Sequence, residues 1–253
     1  MGQRDYLLLI DADDTLWESA LFFQRTEEDF LNLMSALGAS AEDVRRTVHR
    51  RDIERLSVTG YGAEPYMDTL DSILREYFPE PPGWAATSLE DMRRCLLGHP
   101  VVLTPGAVAT LKMISGMPFY SVVYTMGEEV HQRDKFKRSG LDAVVDELTI
   151  VPEKTVDSLR EILRLRGFSP ERTILVGNSP RSDINPATTL GLSAVFLQRE
   201  LTWSLEHEEL SHPHMVVEIN EFNELLKVLD SFLDKDASMT GKQSSASEWR
   251  CRQ

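Results

Sequence analysis

The stretch Tyr6–Trp17, YLLLIDADDTLW, constrains the fold more than any other part of the chain. Leu7, Leu8, Leu9 and Ile10 form an unbroken apolar run, the pattern of a strand buried on both faces of a parallel sheet. The run stops abruptly at Asp11, Asp13 and Asp14, with Thr15 behind them. Carboxylates crowded at the carboxyl end of a buried strand repel one another and lose hydration, so they call for a cation or a proton. In open α/β sheets that edge is where ligands bind. Asp11 and Asp13 flank Ala12 and would face the same way in a continuing strand. One could attack an electrophile while the other handles a proton on the same side. The plain alternative is an acidic turn with an Asp capping a helix.

Helical spacing follows Trp17. Phe22, Phe23, Phe30, Leu31, Leu33 and Met34 define one helix, a second starts with Ser40 or Glu42 and runs to Leu56, Tyr66 to Tyr77 mark a third and Leu89 to Leu97 a fourth, with Pro81-Pro82-Gly83 read as a turn. No strand pattern interrupts residues 18–100, which therefore read as an all-helical insert. Alternating strand and helix signals then resume: FYSVVYT at 119–125, a strand at 148–151, TILVG at 173–177, strands at 194–197 and 215–217, and a final helix from Glu221 to Leu233. The fold class is α/β, a Rossmann-like parallel sheet flanked by helices, with residues 1–17 and 101–234 as core and 18–100 as cap. Residues 235–253 turn polar and Ser-rich and read as a disordered tail.

Three further strand ends carry chemistry-bearing residues. Thr125 precedes Met126-Gly127, where a hydroxyl and successive backbone N–H groups can hold a phosphoryl oxygen. Lys154 stands at the start of a helix, unfavourably placed for the dipole, which points to a partner elsewhere. Gly177-Asn178-Ser179-Pro180-Arg181-Ser182-Asp183 follows TILVG, and Asn178 and Asp183 offer oxygen ligands suited to Mg²⁺. Taken singly, these residues read equally as helix caps or a solvated lysine.

In this order the four segments resemble the signature of the haloacid dehalogenase (HAD) superfamily of phosphohydrolases. The resemblance implies a parallel core with a cap inserted after the first strand. It implies Asp11 as nucleophile, Asp13 as general acid and base, and Thr125 and Lys154 as the residues that position and neutralise the phosphoryl group. It further implies Mg²⁺ held by Asp11, the Asp13 carbonyl, Asn178 and Asp183. The chain departs from many relatives at Asn178, where Asp is usual, and at Met126, where Asn is usual. Dehalogenation expels halide without a proton, and the dehalogenases lack the second Asp, so Asp13 favours a phosphatase. A phosphomutase and a non-catalytic binding scaffold are the alternatives. In the insert, Tyr61 between Gly60 and Gly62 is the candidate contact to substrate, with Met126 and Gly127 on the core side; a plain interhelical turn is the alternative for Tyr61.

A net charge of −14 leaves no excess of Lys and Arg for nucleic acid or an anionic membrane. The expected partner is a small phosphorylated substrate. Cys95 and Cys251 form no disulfide framework, Cys95 reads as helix packing, and the first strand leaves no room for a signal peptide. The expected location is cytoplasmic. His212-Pro213-His214 reads as a turn, and Arg181 as an anion contact or a surface residue.

Overall fold

The computed structural model describes residues 4–240. In chain order they form β1 (Tyr6–Ile10), α1 (Ala20–Ala36), α2 (Ala41–Thr59), α3 (Ala63–Tyr77), α4 (Gly83–Leu97), α5 (Ala107–Ile114), β2 (Phe119–Met126) and α6 (Glu129–Ser139). There follow β3 (Glu147–Val151), α7 (Val156–Arg166), β4 (Thr173–Gly177), α8 (Asn185–Thr189), β5 (Ser193–Leu197), β6 (Val216–Ile219) and α9 (Leu225–Thr240). The six strands are all parallel, in the order β3-β2-β1-β4-β5-β6. The chain leaves β1 for β2 on one side and returns to β4 on the other, so the strand order reverses beside β1. That reversal opens a crevice at the carboxyl edge, where ligands bind in open α/β sheets.

Strand side chains alternate between faces and fill two cores. Leu8, Ile10, Val123 and Val176 pack with Leu111 of α5 and Leu225 of α9, whereas Leu7, Leu9, Tyr124 and Leu175 pack with Leu159 of α7 and Ala187 of α8. Burial on both faces is why Leu7–Ile10 of β1 and Ile174–Val176 of β4 are unbroken apolar runs, and why Asp11 marks the end of β1.

Helices α1–α4 enclose a third core of their own, with Phe30, Met34, Met67, Leu70 and Leu74 at its centre. Two antiparallel linkers join this bundle to the sheet and bond to each other: Glu18 N–H donates to Val102 O and Thr104 N–H to Leu16 O, both at 2.9 Å. α4 begins at Gly83, within the segment expected to be a turn and before the expected start at Leu89, with Pro82 as its N-cap. Proline lacks the N–H that a helix start leaves unpaired, so Pro-Gly here opens a helix instead of breaking one. Cys95 is exposed on α4, not packed inside. α9 starts four residues later than Glu221, because a 3-10 turn (Phe222–Glu224) comes first. It runs on through residues 235–240, expected to be disordered, where the Tyr6 hydroxyl donates to Asp236 at 2.6 Å. The remainder of that tail, with Cys251, lies outside the described residues. Among the described residues, no helix is long and apolar enough to cross a membrane.

Candidate active site

The Asp11 N–H still belongs to the sheet, donating to Val176 O at 2.9 Å. This fixes the main chain where the side chain, 8 % exposed, leaves the ladder. Lys154 reaches over from the loop after β3, its Nζ 5.2 Å from the centre of the Tyr124 ring. It donates to Asp11 Oδ1 and to Asp183 Oδ1, the latter at 2.7 Å. The other Asp183 oxygen accepts the Ser179 N–H at 3.1 Å. Gly177 makes this possible, since a Cβ there would overlap the Asp183 carboxylate. One ammonium thus serves two buried carboxylates, and a negative charge is left over. Burial and then the Asp183 carboxylate push the Asp11 pKa up to about 7, against the pull of Lys154. Burial also raises Asp183. For Lys154 burial opposes the charge, but the two carboxylates outweigh it and hold its pKa above the usual range.

Asp13 is gripped separately. Its Oδ1 accepts from Lys135 Nζ at 2.6 Å and Trp17 Nε1 at 2.7 Å, and its Oδ2 from Gln132 Nε2 at 2.7 Å. Burial disfavours the charge, but Lys135, Gln132 and Trp17 overcome it and bring the Asp13 pKa down to about 2. Asp14 turns the other way, in a left-handed conformation with φ of 60°. Its carboxylate accepts the N–H groups of Ser19 (2.8 Å) and Ala20 (3.0 Å) at the start of α1. The helix-cap reading of the acidic turn therefore holds for Asp14, while Asp11 and Asp13 keep their carboxylates at the sheet edge.

Oxygen atoms that could hold a cation meet between these groups. One terminal atom of the Asn178 amide sits 3.2 Å from both the Asp13 carbonyl oxygen and Asp11 Oδ2, and 3.1 Å from Thr15 Oγ1. As an oxygen it faces two other oxygens, an arrangement that needs a cation among them. Turned over, the amide donates an N–H to both. A carboxylate, a carbonyl and an amide are hard oxygen donors of the kind Mg²⁺ takes while keeping several waters. Mg²⁺ fits this set, and the charge left over by Lys154 favours it. Among the described residues no group of three His, Cys, Asp or Glu side chains is arranged for a metal. Both Asp183 oxygens are engaged, one by Lys154 and the other by Ser179.

Thr125 is buried near the end of β2, its hydroxyl left with a 3.4 Å contact to the Met126 carbonyl. That carbonyl also accepts from Gln132 Nε2 at 2.8 Å. Gly127 follows with φ of +124°, a value that side chains rarely adopt and that turns the chain sharply beside the site. Over the edge lies the loop between α2 and α3. Arg55, paired with Asp52 at 2.7 Å, donates to Gly60 O at 2.7 Å and fixes the start of this loop. Tyr61 packs edge-on against Trp203, with ring centres 6.0 Å apart. Burial raises its pKa, and the Glu206 carboxylate adds to the rise. Glu128, next to Gly127, accepts the Glu64 N–H at 3.3 Å and fills the space that a side chain on Gly62 would need. Tyr61, Thr125, Met126 and Gly127 therefore share one end of the molecule with Asp11, Asp13, Lys154, Asn178 and Asp183. Arg181 is exposed and donates to Leu205 O at 3.3 Å. His212 and His214 lie at a 3-10 turn, Pro213–Met215.

Sequence reading missed Gln132, Lys135, Glu128 and Glu206, and gave Trp17 no role beyond closing the first motif. Gln132 and Lys135 leave only one trace, a spacing of three on the helix after β2, which puts both on one face. Glu206 leaves none in a loop that also carries Glu208 and Glu209.

No protein-family model matches the chain. It is 25 % identical over 229 residues to a glyceraldehyde 3-phosphate phosphatase of Methanothermobacter thermautotrophicus, covering 88 % of this chain and 98 % of that protein. A protein of the same name from Methanocaldococcus jannaschii is 24 % identical over 234 residues, covering 90 % of this chain and 98 % of the relative. Among solved structures, a haloacid dehalogenase-like family hydrolase from Xanthomonas campestris superposes with a TM-score of 0.79 at 22 % identity, over 94 % of this chain and 96 % of that one. A HAD-hydrolase from Bacillus subtilis bound to magnesium gives 0.60 at 20 % identity, over 90 % and 99 %. With its motif segments in order along one sheet edge, the chain is similar almost end to end to two proteins named as phosphatases and shares the fold of haloacid dehalogenase-like hydrolases.

Proposed function

We propose that the chain is a Mg²⁺-dependent phosphomonoesterase of the cytoplasm that acts on a small phosphorylated metabolite through an aspartyl-phosphate on Asp11. The observation that carries this reading is the double engagement of Asp11: Oδ1 on Lys154, and Oδ2 within 3.2 Å of the Asn178 amide that also meets the Asp13 carbonyl. When bound there, Mg²⁺ would supply positive charge against the transferring phosphoryl group. Asp11 attacks phosphorus in line, and the bond to the ester oxygen breaks. Asp13 delivers a proton to that leaving oxygen, then takes one from the water that attacks the aspartyl-phosphate and frees Asp11. Lys154 neutralises charge on the phosphoryl group, the dominant need in such transfers. Thr125 and the N–H groups of Met126 and Gly127 orient its oxygens, and Tyr61 meets the leaving group.

In its present position Asp13 is ionised and held by Lys135, Gln132 and Trp17. It must be drawn from that grip and loaded with a proton before it can act as the acid. The names of the two archaeal relatives make glyceraldehyde 3-phosphate the first substrate to assay. The test is phosphate release from p-nitrophenyl phosphate with and without Mg²⁺, for wild type and Asp11→Asn. The reading expects release by wild type only, and only with the metal; turnover by Asp11→Asn overturns it.

A further inference from the structure

Gln132 lies in the first turn of α6 and is buried, 4 % exposed. Its amide nitrogen donates to two oxygens at once, Asp13 Oδ2 at 2.7 Å and the Met126 carbonyl at 2.8 Å. An ionised carboxylate and a carbonyl can only accept, so the atom between them is the nitrogen, with both its hydrogens spent. One atom of α6 thereby ties the end of β2 to the turn after β1.

The side chain is matched to this task. Glutamate has no N–H to give, asparagine is one methylene shorter, and a lysine would add a second charge where Lys135 already neutralises Asp13. The Gln132 N–H donates to Glu128 O at 2.9 Å, which starts the helical ladder and fixes where the side chain departs. Gly127 leaves the room, since a Cβ there would come within 3.2 Å of the Gln132 amide nitrogen.

The consequence lies in the next peptide unit. A trans peptide is planar, with its C=O and N–H pointing opposite ways. Holding the Met126 oxygen on Gln132 therefore turns the Gly127 N–H away from Gln132 and fixes its direction. The same bond gives the carbonyl a donor at 2.8 Å, whereas the Thr125 hydroxyl lies 3.4 Å from it. The Thr125 O–H is thus not needed by that carbonyl.

We propose that Gln132 is a positioning residue for the phosphoryl group: anchored on Asp13, it holds the Met126 carbonyl, directs the Gly127 N–H and leaves the Thr125 O–H to the phosphoryl oxygens. This rests on the phosphatase reading, in which those two donors meet the phosphoryl group. One amide then sets the phosphoryl-binding loop relative to the carboxylate that handles the proton.

The test is Gln132→Met, which keeps length and burial but removes both donors, assayed with p-nitrophenyl phosphate and Mg²⁺. Nitrophenolate leaves without a proton, so kcat/KM reads the placing of the phosphoryl group and not proton delivery by Asp13. The Ki of inorganic phosphate as a competitor reads the same placing and does not depend on the fraction of active molecules. Ki is expected to rise about tenfold and kcat/KM to fall by a similar factor or more, the loss of one well-placed hydrogen bond. The Mg²⁺ concentration for half-maximal rate is expected to move by less than about threefold, because Lys135 and Trp17 still hold Asp13. If Gln132→Met does not fold by circular dichroism, Gln132→Asn is measured in its place, with the same shifts expected because it is too short to span both acceptors. An unmoved Ki in the folded variant overturns the proposal, as does a Mg²⁺ midpoint that shifts as far as Ki, the mark of a general collapse of the site. Either result with a wild type that hydrolyses p-nitrophenyl phosphate overturns this proposal alone; a wild type that hydrolyses no phosphate ester overturns the phosphatase reading beneath it as well.

Discussion

Three donors on one carboxylate make Asp13 the most tightly held acid of the site, and Lys135 is the only one of the three that carries charge. Removing it leaves a buried anion without its cation. Lys135→Met is therefore expected to cost about 3–5 kcal/mol of stability, the range for breaking a buried pair. Adding Asp13→Asn is expected to recover most of that loss, since an amide needs no counter-charge. Denaturant unfolding of both single variants and the double variant measures the coupling; losses that simply add would show that the pair is not coupled. Asn178 offers a second test at this scale. With no metal, its amide can donate to both Asp11 and the Asp13 carbonyl, which a carboxylate cannot do. Asn178→Asp is expected to lower the melting temperature of the metal-free protein. It is also expected to tighten Mg²⁺ binding by about 1–2 kcal/mol, because desolvation and repulsion offset most of the Coulomb gain. Thermal unfolding at several Mg²⁺ concentrations reads both effects, and an unchanged response would place Asn178 outside the metal set.

At the scale of elements, the turn after β1 joins the site to the cap. Asp14 ties the start of α1 to the loop that holds Asp11 and Asp13. Asp14→Ala removes that cap and is expected to cost about 1–2 kcal/mol, with Asp14→Asn losing much less. Equal losses for the two, measured by denaturant unfolding, would mean that charge and not hydrogen bonding holds the helix. The same scale explains what could be read in advance. The interiors of β1 and β4 are apolar because both faces are covered, so Asp11 and Asn178 announced themselves as strand ends. α6 gives the opposite case. Its sequence, EVHQRDKFKRS, carries no apolar stripe, yet it buries Gln132 and Lys135 against Asp13. A helix whose inward face serves a carboxylate looks like a solvated one, because periodicity reports only apolar burial. Glu206 was hidden for a related reason: a buried carboxylate in an acidic loop is marked only by the serines that fold onto it.

Across the whole molecule, the carboxyl edge of the sheet carries the candidate site and the four-helix bundle lies beside it. The two meet through paired linkers and through contacts of the Tyr61 loop with Glu128 and Trp203. The proposed function makes one event central, the covalent transfer of phosphate to Asp11. The most direct measurement is mass spectrometry of Asp13→Asn protein quenched in acid during turnover of p-nitrophenyl phosphate with Mg²⁺. Nitrophenolate leaves without a proton, so the first step survives while the water-activating step is slowed. The expected result is a chain heavier by one phosphoryl group, with fragmentation placing it on Asp11. Phosphate on another residue, or normal turnover by Asp11→Asn, would contradict the account.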